Sequence, residues 1–229
     1  MKRSEINQYL RTAEEAFARA GFHLPPFARL SAEEWKNLGD EYDEIRENML
    51  GWDITDFGGG DFEKLGLLLL TMRNGAIGDP ASKTYAEKLM YVLEDQVTPM
   101  HFHWKKMEDI INRGGGVLMM QLYNSTPEEA LDKVGEVEVV SDGVKLRIPA
   151  GTVLELQPGQ SVTLTHRMYH AFWAKPGHGP VLIGEVSQCN DDNTDNRFLE
   201  EMGRFPAIEE DEAPFRLLCT EYPAAKGCK

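Results

Sequence analysis

The chain has 229 residues, a hydrophobic fraction of 41% and a formal net charge of -14 at pH 7. That length and that apolar fraction suffice for one large domain with a packed core. The acidic balance argues against nucleic acid and anionic membranes as partners, because both require a basic surface on the protein. Small neutral molecules remain open as substrates.

The N-terminus and the cysteines predict a cytoplasmic protein. The first 21 residues contain no uninterrupted apolar run of the kind that secretory signals carry. The most apolar run, residues 65–72, is too short to span a bilayer. The three cysteines, Cys189, Cys219 and Cys228, are an odd number without metal-ligand spacing, which fits reduced thiols better than disulfides.

Residues 1–51 carry helix signals. Apolar side chains recur at helical spacing after Ser4, the predicted N-cap, and stop at Gly21. Ser31 and Glu34 have the spacing of a capping box, which predicts the start of a second helix. We therefore predict an N-terminal helical extension over residues 1–51 that packs on the domain following it.

Short strand-like runs with turn signals between them fill residues 52–198. One pair of runs is joined by Asp142-Gly143, a two-residue sequence typical of a type I′ hairpin. This texture predicts a mainly β domain, an antiparallel sandwich or barrel. Residues 199–229 are acidic and proline-rich, and we predict a tail that wraps the barrel.

Two histidines two positions apart indicate a metal site. His101 and His103 share one face if they lie on a strand, and Glu108 follows across a turn. A third imidazole is expected from a second strand, where His170 and His166 compete. Imidazole nitrogens with a carboxylate suit a borderline divalent cation: Mn²⁺, Fe²⁺, Co²⁺, Ni²⁺ or Zn²⁺. The alternative is that these histidines are solvated or only hydrogen-bonded.

This part of the chain resembles the first cupin motif, G-x5-H-x-H-x(3,4)-E-x6-G. Here the motif reads His101-x-His103-x4-Glu108-x6-Gly115, and Asp95 stands at the position of the opening glycine.

The second cupin motif, G-x5-P-x-G-x2-H-x3-N, is matched from Gly159 to His170 with its spacing kept. Thr165 and Arg167 replace its proline and inner glycine, and Ala174 replaces its asparagine. The resemblance implies a cupin barrel, that is, a double-stranded β-helix or jelly roll. It also implies one metal ion bound by a set of four ligands: His101, His103, Glu108 and His170.

A longer resemblance runs from about residue 52 to residue 198. The segments "WDITDFGGGDFEKLGL", "QVTPMHFHWKKMEDIINRGGG" and "GEVSQCNDDNTDNRF" are similar to the D-lyxose isomerase family of cupin-type sugar isomerases. The resemblance implies interconversion of D-lyxose with D-xylulose, often also of D-mannose with D-fructose, and Mn²⁺ as the usual metal. Cupin barrels commonly pair, so a homodimer is implied as well.

Aldose–ketose isomerisation moves a proton between C1 and C2 through an enediol, so it requires a base. Glu185, a lone acid in the apolar run "VLIGEV", is the predicted base. Lys105, two residues after His103, is predicted to stabilise the enediolate and to bind substrate, while Lys106 is predicted to be exposed.

The loop "NDDNTDNRF" offers further groups for sugar hydroxyls. Of these, Asp195 and Arg197 are predicted to contact the substrate, with Asp191, Asp192 and Asn196 as alternatives. The alternative is that this is an Asx-rich loop with no role in substrate binding. Trp52, Phe172 and Trp173 are candidates for stacking on a sugar, although an aromatic core is the more usual role.

Two other functions remain open. A cupin dioxygenase would use Fe²⁺ in the same ligand set, but it should have a more apolar pocket. A non-catalytic sugar-binding cupin would have no activity to lose on mutation of Glu185. Epimerisation at C2 would need a second base, and the sequence offers one convincing candidate.

Overall fold

The computed structural model describes residues 1–189, 191 and 194–225. Two curled antiparallel sheets form a barrel, and helices precede it. The prediction of a mainly β cupin barrel with an N-terminal helical extension is confirmed.

The helices lie before the barrel. They are α1 (Arg3–Arg19), α2 (Ala32–Trp35) and α3 (Asp43–Glu47), with 3-10 turns at Pro26–Arg29 and Asp40–Tyr42. The predicted capping box is present, because the Ser31 hydroxyl accepts from the Glu34 N–H at 3.3 Å and Glu34 accepts from the Ser31 N–H at 2.7 Å. The prediction that Ser4 caps α1 is wrong. The helix has already begun at Arg3, and the Ser4 N–H and hydroxyl both donate to Asp211 in the C-terminal tail.

Fourteen strands lie in the part of the chain that the structure describes. They are β1 (Gly51–Thr55), β2 (Leu67–Arg73), β3 (Tyr85–Val92), β4 (Val97–Phe102), β5 (Glu108–Gly115), β6 (Leu118–Ser125), β7 (Leu131–Asp132), β8 (Glu136–Ser141), β9 (Val144–Pro149), β10 (Val153–Leu156), β11 (Ser161–Leu164), β12 (Met168–Ala174), β13 (Val181–Gln188) and β14 (Arg197–Phe198).

The larger sheet has the order β1-β2-β3-β13-β5-β11-β8-β9. The smaller sheet has the order β10-β6-β12-β4-β14, and β7 pairs with β6. The predicted hairpin joins β8 to β9: Asp142 and Gly143 have φ of 49° and 81°, as a type I′ turn requires.

Alternate side chains of the larger sheet point to its two faces, and each face is buried. The concave face contributes Leu69, Met90 and Ile183 to the core inside the barrel. The convex face contributes Trp52 and Leu70 to a second core beneath α1. The apolar stripe of that helix fills the second core with Ile6, Leu10, Ala13 and Phe17.

The described part of the tail, residues 199–225, runs back across the barrel and along α1. The Gly203 N–H donates to the Phe57 carbonyl, and the Cys219 N–H donates to the Trp52 carbonyl. The division of the chain into a helical extension (residues 1–51), a barrel (52–198) and a tail (199–229) stays a proposal. Residues 226–229, which include Cys228, lie outside the described residues. Across the described ranges, no helix is long and apolar enough to cross a membrane.

Candidate metal centre and catalytic cavity

Three buried imidazoles meet inside the barrel. His101 ends up opposite His170 because β4 and β12 are paired at these two residues, and His103 follows directly after β4. One ring nitrogen from each of the three histidines lies within 4.8 Å of the others. That spacing allows one cation to contact all three nitrogens.

Backbone carbonyls hold the three rings in orientation. The Nδ1 atom of His101 lies 2.7 Å from the carbonyl of Pro99, and that of His170 lies 3.0 Å from the carbonyl of Met168. The Nδ1 atom of His103 lies 2.9 Å from the carbonyl of Asp195. A carbonyl can only accept, so each Nδ1 carries the proton and each Nε2 keeps its lone pair for a metal.

Glu108, at the start of β5, is buried beside the imidazoles. Its Oε1 lies 3.3 Å from the Nε2 atoms of both His103 and His170. That oxygen is buried and accepts no hydrogen bond from the residues that the structure describes. Buried acceptors are rarely left without a partner, so the orphaned oxygen fits a site in which a cation is the missing partner. Imidazole and carboxylate together suit a borderline divalent cation.

Burial and a neighbouring charge shift the pKa values of three of the candidate metal ligands. Burial lowers the pKa of His170 to about 4, and burial also lowers the pKa of His101 well below its usual value. Burial alone would raise the pKa of Glu108, but the Lys106 ammonium outweighs it and holds that pKa well below its usual range. The shifts therefore favour the neutral imidazole at His101 and His170 and the ionised carboxylate at Glu108, which are the forms that bind a metal.

Both replaced motif glycines keep the backbone that glycine would adopt. Asp95 and Arg167 each have φ of 62°, in the left-handed region that side chains disfavour. The Arg167 N–H donates to the His103 carbonyl at 2.8 Å and so ties the turn before His170 to the segment that carries His103. Gly115 remains a glycine because its φ is 85° and an added Cβ would lie 2.3 Å from the Pro180 carbonyl oxygen.

The burial of the two neighbouring lysines is the opposite of what the sequence predicts. Lys105 is exposed, and the prediction that Lys106 is the exposed one is wrong. Lys106 is 3% exposed, and its Nζ lies 2.6 Å from Glu108 Oε2 and 2.9 Å from Glu185 Oε1. The reason is that β4 ends at Phe102, so the alternation that placed Lys105 inward does not continue past His103.

Glu185 lies on β13 with its carboxylate inside the barrel. It is 4% exposed and is contacted by Lys106 and, at 3.4 Å from Oε1, by the Nζ of Lys88. Lys88, which lies directly across from Glu185 on β3, was not among the residues predicted from the sequence. Its signal was weak, since the adjacent Glu87 makes Lys88 look like one of a pair of surface charges before the apolar run 89–92.

The loop before β14 acts mainly through its backbone contacts. The Asp195 carboxylate is buried and accepts the N–H groups of Lys105 and Lys106 at 2.9 and 3.0 Å. Arg197 donates to Glu129 outside the cavity, at 3.1 Å. These positions favour a supporting role for both residues over the predicted substrate contact; Asp192 lies outside the described residues.

The cavity beside the imidazoles is small, about 50 Å³. Asn196, Phe198 and Arg204 reach its wall from the chain after β13, together with Phe57 and Phe172. Of these, only Asn196 and Phe172 were among the candidates from the sequence.

The remaining candidates lie elsewhere. Trp52 is buried under α1, where its indole N–H donates to the Ala28 carbonyl at 2.8 Å, and Trp173 is half-buried away from the cavity. His166 is exposed and lies 3.2 Å from Gln188, and the loop residues His23 and His178 are exposed too.

The amino-acid sequence matches the model of the D-lyxose isomerase family over residues 1–222. It is 50% identical to a D-lyxose/D-mannose isomerase of Serratia proteamaculans, over 97% of this chain and 98% of that protein. It is 48% identical to a D-lyxose/D-mannose isomerase of Escherichia coli O157:H7, again over 97% and 98% of the two chains.

Solved structures with a similar fold include L-ribose isomerases. The enzyme of Cellulomonas parahominis without ligand aligns with a TM-score of 0.60 and 18% identity, over 91% of this chain and 98% of that one. The enzyme of Acinetobacter sp. DL28 in complex with L-ribose aligns with a TM-score of 0.59 and 17% identity, over the same shares. At these identities the likeness shows the fold alone.

Proposed function

The chain belongs to the D-lyxose isomerase family and is an aldose–ketose sugar isomerase, and from that premise we propose its substrates and its metal dependence. The proposed reaction interconverts D-lyxose with D-xylulose and D-mannose with D-fructose. It requires one divalent cation, for which Mn²⁺ is the first choice and Co²⁺, Ni²⁺, Zn²⁺ and Fe²⁺ are alternatives. The substrates follow the names of the two relatives that share about half of their residues with this chain.

One observation carries the metal dependence: the orphaned Oε1 of Glu108 beside the Nε2 atoms of His103 and His170. With His101, these residues would hold the cation. When bound there, the cation supplies Lewis-acid polarisation of the sugar's carbonyl and hydroxyl oxygens.

Glu185 is the proposed base. Its carboxylate lies inside the barrel and is linked to the proposed ligands through Lys106, which contacts both Glu185 and Glu108. Glu185 removes the proton from C2 of the aldose and returns it to C1, and the second proton moves from O2 to O1 as the ketose forms. A single carboxylate on one face of the enediol gives isomerisation and not epimerisation.

Lys106, and not Lys105 as predicted from the sequence, is the proposed lysine that stabilises the enediolate. Its ammonium is buried between two carboxylates, where it is fixed in place before the reaction begins. A preorganised cation in a water-poor cavity stabilises the charge that develops on the enediolate oxygens. Lys88 adds a second ammonium at the same oxygen of Glu185, Oε1, at 3.4 Å.

The buried charges also favour a polyhydroxylated substrate over the alternatives. Much of the cavity wall is apolar, as a dioxygenase of this fold would also have it, so the distinction rests on the charged end formed by Lys88, Lys106 and Glu185. A purely sugar-binding role needs no buried base beside the metal. A homodimer and a cytoplasmic location stay predictions from the resemblance and the composition.

The test is to strip divalent ions with a chelator, restore Mn²⁺, Co²⁺, Ni²⁺, Zn²⁺ or Fe²⁺ in turn, and assay a panel of aldoses for ketose. We expect D-xylulose from D-lyxose and D-fructose from D-mannose after restoration only. Ketose formation that is unchanged by chelation, with metal analysis showing an empty protein, would remove the metal from the proposal. No ketose from either sugar with any of the five metals would overturn the substrates.

A further inference from the structure

A polar row crosses the concave face of the larger sheet and leads away from the imidazoles. Thr71 on β2 lies directly across from Lys88 on β3, and Lys88 lies directly across from Glu185 on β13. All three side chains are buried and point into the barrel, since they alternate with residues of the core beneath α1. Neighbouring strands are about 4.8 Å apart, so Thr71 lies about 10 Å from Glu185.

A second, larger cavity of about 360 Å³ opens at the far end of this row. Its wall contains four polar side chains that are themselves buried: Asp53, Thr71, Asn74 and Lys88. Amide, hydroxyl, carboxylate and ammonium groups of this kind are what a protein uses to bind sugar hydroxyls. The second cavity thus has both the room and the chemistry for part of a sugar.

The two cavities adjoin. Lys88 lines both of them, and Asp53 in the wall of the second cavity is ion-paired with Arg204 in the wall of the first. The first cavity is the narrower of the two, about 50 Å³ against about 360 Å³. For a sugar whose C1 and C2 lie at Glu185, the second cavity offers the larger space for the rest of the carbon chain.

We propose that the second cavity receives the end of the sugar chain remote from C1, carbons 5 and 6, and that Thr71 and Asp53 bind its terminal hydroxyl. The proposal rests on the isomerase activity proposed above, and it names the part of the protein that separates hexoses from pentoses. Carbon 6 exists only in the hexose, so the far wall of the cavity contacts a group that D-lyxose lacks. The Asp53–Arg204 ion pair lies where the carbon chain of the sugar would pass from one cavity to the other.

Two substitutions at Thr71 test this assignment. Thr71→Phe places a ring in the second cavity, and Thr71→Val removes the hydroxyl while keeping the branched shape that suits a strand. Thr12→Phe and Thr12→Val, on α1 and away from both cavities, are the matched controls. Metal content and melting temperature are measured for all four variants. If these show that Thr71→Phe is misfolded, the result for Thr71→Val decides the assignment.

The readouts are KM for D-lyxose and D-mannose, and calorimetric binding of both sugars to Mn²⁺-loaded protein carrying Glu185→Gln. We expect Thr71→Phe to weaken D-mannose about 10-fold or more and D-lyxose by no more than about 3-fold, with metal content unchanged. Thr71→Val should weaken D-mannose about 5-fold, as the loss of one hydrogen bond does.

Equal weakening of the two sugars, or no weakening, would overturn the assignment of the cavity to carbon 6 while leaving the isomerase activity in place. Failure of the unmodified chain to make ketose would instead overturn the proposed activity, and the calorimetric comparison would still report on the cavity. Failure of both sugars to bind would overturn both proposals.

Discussion

At the scale of single residues, spacing identifies the proposed metal ligands better than it identifies their helpers. His101, His103, Glu108 and His170 follow from two motifs, because a ligand set fixes residue type and register together. The lysines do not follow, since choosing between Lys105 and Lys106 requires knowing where β4 ends. The position of Asp195 could not be predicted either. Nothing in an Asx-rich loop shows that its carboxylate points inward and accepts the backbone N–H groups of Lys105 and Lys106.

The two neighbouring lysines provide a matched pair of substitutions. Lys106→Met should lower kcat by about 10²–10³-fold, because it removes a preorganised charge from the developing enediolate. Lys105→Met removes an equal charge from the surface and should leave kcat within about 2-fold. Steady-state assays on metal-loaded proteins compare them. A large loss with Lys105→Met and none with Lys106→Met would return the role to the residue that the sequence favoured.

At the scale of elements, helix α1 and the C-terminal tail hold each other in place. Arg3 is 2% exposed and pairs with Glu210 and Glu221 of the tail, while Asn7 donates to Glu212 at 2.5 Å. The same tail carries Arg204 to the cavity wall. The sequence predicted the helix and a wrapping tail but not this pairing, because the partners are about 200 residues apart and exposed acidic runs look alike.

Arg3→Met should therefore loosen the tail. We expect a loss of about 2 kcal/mol in the free energy of unfolding, since two carboxylates lose a buried partner, and a fall in Tm of about 4–8 °C. Thermal unfolding measures the effect, and Arg29→Met, at an exposed arginine, is the control. Equal melting temperatures for the two variants would show that the Arg3 ion pairs contribute nothing measurable.

At the scale of the whole molecule, the pattern of short apolar runs and turn residues was enough to predict a mainly β fold. Short alternating strands and the Asp142-Gly143 turn predicted an antiparallel sandwich or barrel, the resemblance to the cupin motifs selected the barrel, and apolar spacing predicted α1. The cavities were beyond prediction, because each is bounded by side chains from strands far apart in the chain. Lys88 and Arg204 show this: neither belongs to a motif, and their places depend on the sheet order and on the path of the tail.

Metal binding should stabilise the whole fold, since the proposed ligands come from β4, β5, β12 and the turn after β4. Mn²⁺ at about 100 times its Kd should add about 2.7 kcal/mol and raise Tm by about 5–10 °C. Differential scanning calorimetry of chelated and restored protein measures this shift. His170→Gln should reduce it strongly and His166→Gln should not; the reverse pattern would assign the third imidazole to His166.

The central claim is that Glu185 carries a proton between C2 and C1, and isomerisation in D2O tests it most directly. D-Lyxose is converted by the metal-loaded protein in D2O, and the D-xylulose formed is analysed for deuterium by NMR and mass spectrometry. A carboxylate that holds the abstracted proton exchanges part of it with solvent, so we predict deuterium at C1 of the product. D-Xylulose that stays free of deuterium after many forward and reverse turnovers at equilibrium would contradict the account, because hydrogen would then pass from C2 to C1 without residing on an exchangeable base.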